Sequence, residues 1–375
     1  MIGRALQRLS WLQPIGSFRL RLPLGAGESN STIVSSLQSF GDLCEENGEI
    51  PEFRAALRRT SIFEDVVRAI KARRSRDVVL LGWLSVGHLA SQCPEDVPRL
   101  INEGVCSAAA TTLSAYADDS YVTTFACLGI SHIAAFDSGA VAAQKHRDVA
   151  AKFGDAGTCV HLVKILKSYI ASNELDVAEE AAFAIGALAC TDSNYKAFVE
   201  ADVLNAVIEA LRKAPSHRGL CEAVTTIAHN FAVEKTYASM FVNAGVCWPL
   251  INAAQVHGDD FIITIKLLGF FANASAGLDS EVLVNNMCEN GACGIIARAL
   301  DLFSDEDELV KHACVCIVNF AGDSADARDQ FIALGVPDKL QNLNIDSPFV
   351  IDAIAILQRW GPVLMHASVR RLNEL

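Results

Sequence analysis

Phe241-Val-Asn-Ala-Gly245-Val-Cys-Trp-Pro-Leu250 places a bulky apolar residue one helical turn before a glycine and another five residues after it. The pattern reads as a helix that ends, turns sharply and starts again, because glycine enters the left-handed backbone region without steric cost. The chain uses this arrangement seven times. The turn residues and their followers are Ser61-Ile62, Gly104-Val105, Gly157-Thr158, Asp202-Val203, Gly245-Val246, Gly291-Ala292 and Gly335-Val336, spaced 43, 53, 45, 43, 46 and 44 residues apart. Four positions before each turn stand Leu57, Leu100, Phe153, Phe198, Phe241, Met287 and Phe331. Five positions after it stand Val66, Ala109, Leu162, Val207, Leu250, Ile296 and Leu340, and nine after it Ile70, Leu113, Leu166, Leu211, Ala254, Leu300 and Asn344. Apolar residues at these steps form the buried stripe of an amphipathic helix.

Farther along each unit comes a more apolar string that ends in a small residue. It reads Val86-Gly-His-Leu-Ala90, Ile130-Ser-His-Ile-Ala134, Ile185-Gly-Ala-Leu-Ala189, Ala228-His-Asn-Phe-Ala232, Phe271-Ala-Asn-Ala-Ser275, Ile317-Val-Asn-Phe-Ala321 and Leu357-Gln-Arg-Trp-Gly361. These strings predict buried helices whose small residues admit the next unit, and no alternating strand pattern competes. Each unit is therefore a short helix, a turn, a second helix, a polar loop and a third helix. This period and three-helix plan resemble the armadillo repeat. HEAT repeats, with two helices and a similar period, are the alternative; the repeated turn and the small-residue string disfavour them.

The expected fold is all-α, a right-handed α-solenoid of about seven armadillo-type repeats with an N-terminal capping helix. The predicted organisation is a disordered N-terminal segment 1–30, a capping helix 31–49, the repeats over 50–362 and a C-terminal tail 363–375. The interval from Gly104 to Gly157 is longer than the others, and the excess falls at 138–152, which holds Lys145, His146 and Arg147. A lengthened first helix or loop explains it most simply, although insertions between repeats are also common contact points.

With 51% hydrophobic and 20% charged residues over 375 positions, the chain has enough apolar side chains for a large core. Charge is uneven: up to Arg76 there are 12 basic and 8 acidic residues, net +4, and beyond it 19 basic and 36 acidic, net −17. An acidic body does not suit nucleic acid, whose phosphates need Lys and Arg. The basic stretch Arg54, Arg58, Arg59, Arg68, Lys71, Arg73, Arg74 and Arg76 is read first as a solvated helical face, ahead of an anion site. No apolar run is long enough to span a membrane. Twelve cysteines without a secretory leader point to a reducing compartment and free thiols. The location expected is cytoplasmic, with the nucleus compatible. Arg4, Arg8, Arg19 and Arg21, with no acid before Glu28, give residues 1–27 some likeness to a mitochondrial transit peptide, while two prolines and only two serines there argue against it.

No catalytic motif is present: there is no phosphate-binding glycine loop with its lysine, no H-E-x-x-H and no G-x-S-x-G. The chain is expected not to be an enzyme and to need no cofactor. Cys106, Cys159, Cys247 and Cys293 each follow a turn residue by two, but equivalent positions of stacked repeats lie about 10 Å apart, too far to share one ion. His312-Ala-Cys314-Val-Cys316 spreads its ligands over different helix faces, so no metal site is expected.

One column remains for function. The polar positions of the third-helix strings are His88, His132, Ala187, Asn230, Asn273, Asn319 and Arg359. In armadillo proteins third helices line a concave groove, where an asparagine typically hydrogen-bonds the backbone of an extended peptide. The resemblance carries that role to Asn230, Asn273 and Asn319, with His88, His132 and Arg359 as weaker equivalents; an amide suits it by offering both donor and acceptor. The alternative is that these groups only satisfy backbone within the stack. The function implied is a non-catalytic scaffold or adaptor, expected to be monomeric, that holds an extended partner segment. An importin-alpha-like transport adaptor for basic cargo is the other reading. It is disfavoured because Leu84, Leu128, Phe183, Thr226, Gly269, Val315 and Ala355 stand where import adaptors carry tryptophans; Glu179, Glu180 and Glu222 would still attract a basic partner.

Overall fold

A computed structural model describes residues 27–134, 140–258, 260–276, 280–343 and 347–358. The expected leader up to residue 26, Arg359, the C-terminal tail and residues 138–139 of the insertion lie outside these. The described residues hold twenty-two α-helices and no strand.

A first helix, α1 (Asn30–Asn47), precedes the repeats. Seven helix triplets follow: α2 (Pro51–Arg58), α3 (Ile62–Ala72), α4 (Arg76–Gln92); α5 (Val97–Glu103), α6 (Val105–Ala115), α7 (Ser120–Ala134); α8 (Ala140–Asp155), α9 (Thr158–Ser172), α10 (Leu175–Leu188); α11 (Asp192–Glu200), α12 (Val203–Lys213), α13 (Arg218–Ala232). The last three triplets are α14 (Lys235–Asn243), α15 (Cys247–Val256), α16 (Phe261–Ala274); α17 (Ser280–Glu289), α18 (Ala292–Leu302), α19 (Asp307–Asp323); and α20 (Ala325–Ala333), α21 (Val336–Gln341), α22 (Pro348–Gln358). Every first-to-second-helix junction falls at a turn residue named from the sequence.

Backbone angles explain the turn. Gly104, Gly157, Gly245, Gly291 and Gly335 have φ of 94°, 82°, 84°, 96° and 70°. Asp202 enters the same region at 72°, which its short polar side chain tolerates better than most. Ser61 departs: its φ is −89°, and the hydroxyl of Thr60 accepts the Ile62 N–H at 3.3 Å while Ser61 Oγ donates to Asp65. The turn forms there without a left-handed residue, and the Thr60 hydroxyl holds the first N–H of the new helix. Third helices start on similar caps: Ser75, Asp260 and, for a first helix, Ser324 accept the N–H three residues on.

The apolar columns form the core. Leu57, Leu100, Phe153, Phe198, Phe241, Met287 and Phe331 are all buried, as are the residues five after each turn and the described ones nine after it. Small residues let helices approach closely, as expected. A Cβ on Gly129 of α7 would lie 2.8 Å from Trp83 of α4, whose indole N–H donates to Thr112 Oγ1 at 3.1 Å.

The contacts divide the chain into two compact bodies, Met1–Ala201 and Asp202–Leu375. Within the first, α1, α4, α7 and α10 pack in series; within the second, α13, α16, α19 and α22 do the same. Among the described residues no helix is long and apolar enough to cross a membrane. The lengthened repeat is accommodated by α8, with 16 residues.

Candidate partner-binding surface

The third-helix row of each body carries the polar column. In the first body His132 Nδ1 lies 3.2 Å from the Gly87 carbonyl of the preceding repeat and so carries the proton. Half-buried His88 has its Nε2 buried without a partner, and burial lowers its basicity. Ala187 breaks the column, and His146 from the insertion takes its carbonyl at 2.8 Å. One turn earlier Leu84, Leu128 and Phe183 are half-buried, an apolar strip in place of tryptophans. Beside it stands half-buried Glu180, for which no ion pair exists among the described residues. Burial first, and then Glu179, pushes its carboxyl up to about 7.

In the second body the three asparagines differ. Asn319 is 1% exposed and spends its amide hydrogens on the Ala272 carbonyl at 3.2 Å and Ser275 Oγ at 3.1 Å. Its donors are used within the stack, against the same repeat-to-repeat carbonyl that His132 uses. Asn273 is 8% exposed, yet its Nδ2 is buried with no acceptor. Asn230 is partly exposed. Next to it, His229 lies against α16, where a Cβ on Gly269 would be 2.3 Å from its Nδ1. Burial, then Lys266 and His312, lower its imidazole to about 4.

Two further groups were invisible in the sequence. Cys288 and Cys293, on opposite sides of the Gly291 turn, bring their Sγ atoms to 3.3 Å. The spacing rule that keeps equivalent cysteines apart says nothing about two within one unit. The Cys288 contact and then burial raise the Cys293 thiol, and burial pushes Cys106, Cys159 and Cys247 up to about 12. The basic stretch is largely self-contained. Arg54 pairs with Glu49, Arg58 with Glu95 and Asp96, Arg68 with Glu103 and Asp65, and Arg76 with Asp119, while Lys71 and Arg74 bond the Glu103 and Glu28 carbonyls. Of the eight cations only Arg59 and Arg73 lack such a partner among the described residues.

No protein-family model and no curated protein matches this sequence. Solved structures do resemble it. An engineered protein superposes with a TM-score of 0.74 at 19% identity, over 92% of this chain and 78% of that one. A designed armadillo repeat protein gives 0.55 at 19% identity, over 67% of this chain and 99% of its own. Another, in complex with the peptide (KR)4, gives 0.54 at 20% identity, over 67% of this chain and 97% of its own. The triplets, the turn geometry and these superpositions agree: the chain is an all-α solenoid with the armadillo repeat fold.

Proposed function

We propose that this protein is a non-catalytic scaffold or adaptor that binds an extended segment of a partner along its third-helix rows. The observation that carries the reading is Asn273: a buried amide donor without an acceptor costs about 1–3 kcal/mol, a cost that a partner backbone carbonyl would remove. A designed protein of this fold in complex with a peptide supports peptide binding as a use of the fold. Glu180 gives the first body a preference for a basic side chain, because a cation would restore the charge that burial disfavours and its methylene stem would cover Leu128 and Phe183.

Peptides selected by display against the intact protein test this. Those that bind should weaken roughly three- to tenfold with Asn273→Ala, the worth of one net hydrogen bond. Selected peptides that bind Asn273→Ala as well as the unaltered protein would refute the role of the column.

A further inference from the structure

The third-helix row of the second body carries a positive charge at Lys266 and an amide donor at Asn273 without matching acceptors among the described residues. Lys266 on α16 and His312 on α19 occupy the same place in consecutive repeats, seven residues before Asn273 and Asn319. His229 of α13 lies against α16 about one turn past Lys266, because Gly269 leaves room for its ring. Its Nδ1 is buried without a partner, and the ring lies against the Lys266 backbone. His312 Nδ1 donates to the Glu308 carbonyl at 2.7 Å, which leaves Nε2 free to take a further proton.

The nearby acids do not neutralise Lys266. Glu222 and Asp260 both pair with Arg218, at 3.0 and 2.6 Å. Glu308 and Asp352 are exposed, and neither forms an ion pair with Lys266 among the described residues. Lys311 lies over the Phe349 ring, 5.1 Å from its centre. Burial and then Lys266 lower the basicity of His229, and burial, then Lys311 and Lys266, lower that of His312. Two turns along α16 from Lys266 lies the unpartnered amide of Asn273.

We propose that Lys266, flanked by His229 and His312, receives an aspartate or glutamate carboxylate of the segment bound to this row. The inference rests on the peptide-binding reading above and specifies its chemistry for the second body. The carboxylate accepts from Lys266 Nζ in a partly desolvated site, where charge-assisted hydrogen bonds are stronger than neutral ones. A proton taken up on His312 Nε2 adds a second donor, and the backbone of the same segment continues toward Asn273.

Labelled ten-residue peptides of alternating glutamate and serine, lysine and serine, or glutamine and serine provide the probes, used with the intact protein in fluorescence anisotropy. The glutamate peptide is expected to bind about tenfold tighter than the glutamine peptide, and to lose that advantage in Lys266→Met but not in Lys311→Met. Carbodiimide, which joins carboxylates to amines, should link the glutamate peptide to Lys266, as read by mass spectrometry. Equal binding of the three peptides, unchanged affinity in a folded Lys266→Met protein, or cross-links only to other lysines would overturn the proposal. Failure of the peptide reading itself shows separately, in display-selected peptides that ignore Asn273→Ala.

Discussion

Replacing Glu180 by glutamine should stabilise the protein at pH 8 and change little at pH 4. In the folded protein burial raises this carboxyl from 4.5 to about 7. A group whose folded pKa is raised contributes stability that is present below its unfolded pKa and is lost as pH rises through the folded one. The cost of Glu180 is therefore small at pH 4, grows between about 4.5 and 7, and is constant above. The full shift corresponds to about 3 kcal/mol at 1.36 kcal/mol per unit. Glu180 retains some solvent contact, so screening brings the expected gain to about 1–2 kcal/mol. Glutamine keeps the shape and removes the charge. Thermal unfolding followed by circular dichroism should show a midpoint roughly 2–6 °C higher at pH 8, on the scale for domains of this size. Equal gains at pH 4 and pH 8, or none at either, would refute the assignment of Glu180 as an uncompensated carboxyl.

Three other outcomes follow from the packing. His229, lowered to about 4, is neutral in the fold, so its contribution is present above about 6.5 and lost as pH falls to 4; His229→Gln should flatten that part of the stability profile by up to about 3 kcal/mol in urea titrations. Asn319→Ala leaves the Ala272 carbonyl and Ser275 Oγ without this donor and should cost about 1–3 kcal/mol, against under about 1 kcal/mol for the more exposed Asn230→Ala. Gly129→Ala drives a methyl into the Trp83 ring and should cost about 1–3 kcal/mol, with a change in indole fluorescence; an unchanged midpoint would mean that α4 and α7 are less tightly packed.

Most of the fold was legible because its signals are local. A turn residue, an apolar residue one turn before it and a stripe after it all lie within about 15 residues, so the seven units declared themselves along the chain. Asp202 shows that the turn accepts a residue tolerant of the left-handed region in place of glycine, and Ser61 that it also forms at negative φ, with the Thr60 hydroxyl holding the Ile62 N–H. The candidate surface was less legible because side-chain direction is decided by the neighbouring repeat. Asn273 and Asn319 hold the same place in their strings, yet Ala272 and Ser275 supply acceptors to Asn319 while Asn273 finds none. The passage of His229 over Gly269, the pairing of Arg68 and Arg76 with Glu103 and Asp119 of the next repeat, and the bond from His146 to Ala187 likewise join residues 35 to 43 positions apart. Sequence patterning places such residues on a helix and does not say what they meet.

Affinity purification with mass spectrometry shows whether the third-helix rows bind partners. The intact protein would be compared with Asn230→Ala/Asn273→Ala, after circular dichroism shows both to be folded. Asn319 is left unchanged because its amide is spent within the stack. A defined set of partners is expected to be lost from the double variant. Retention of every partner by a folded double variant would contradict binding by these rows.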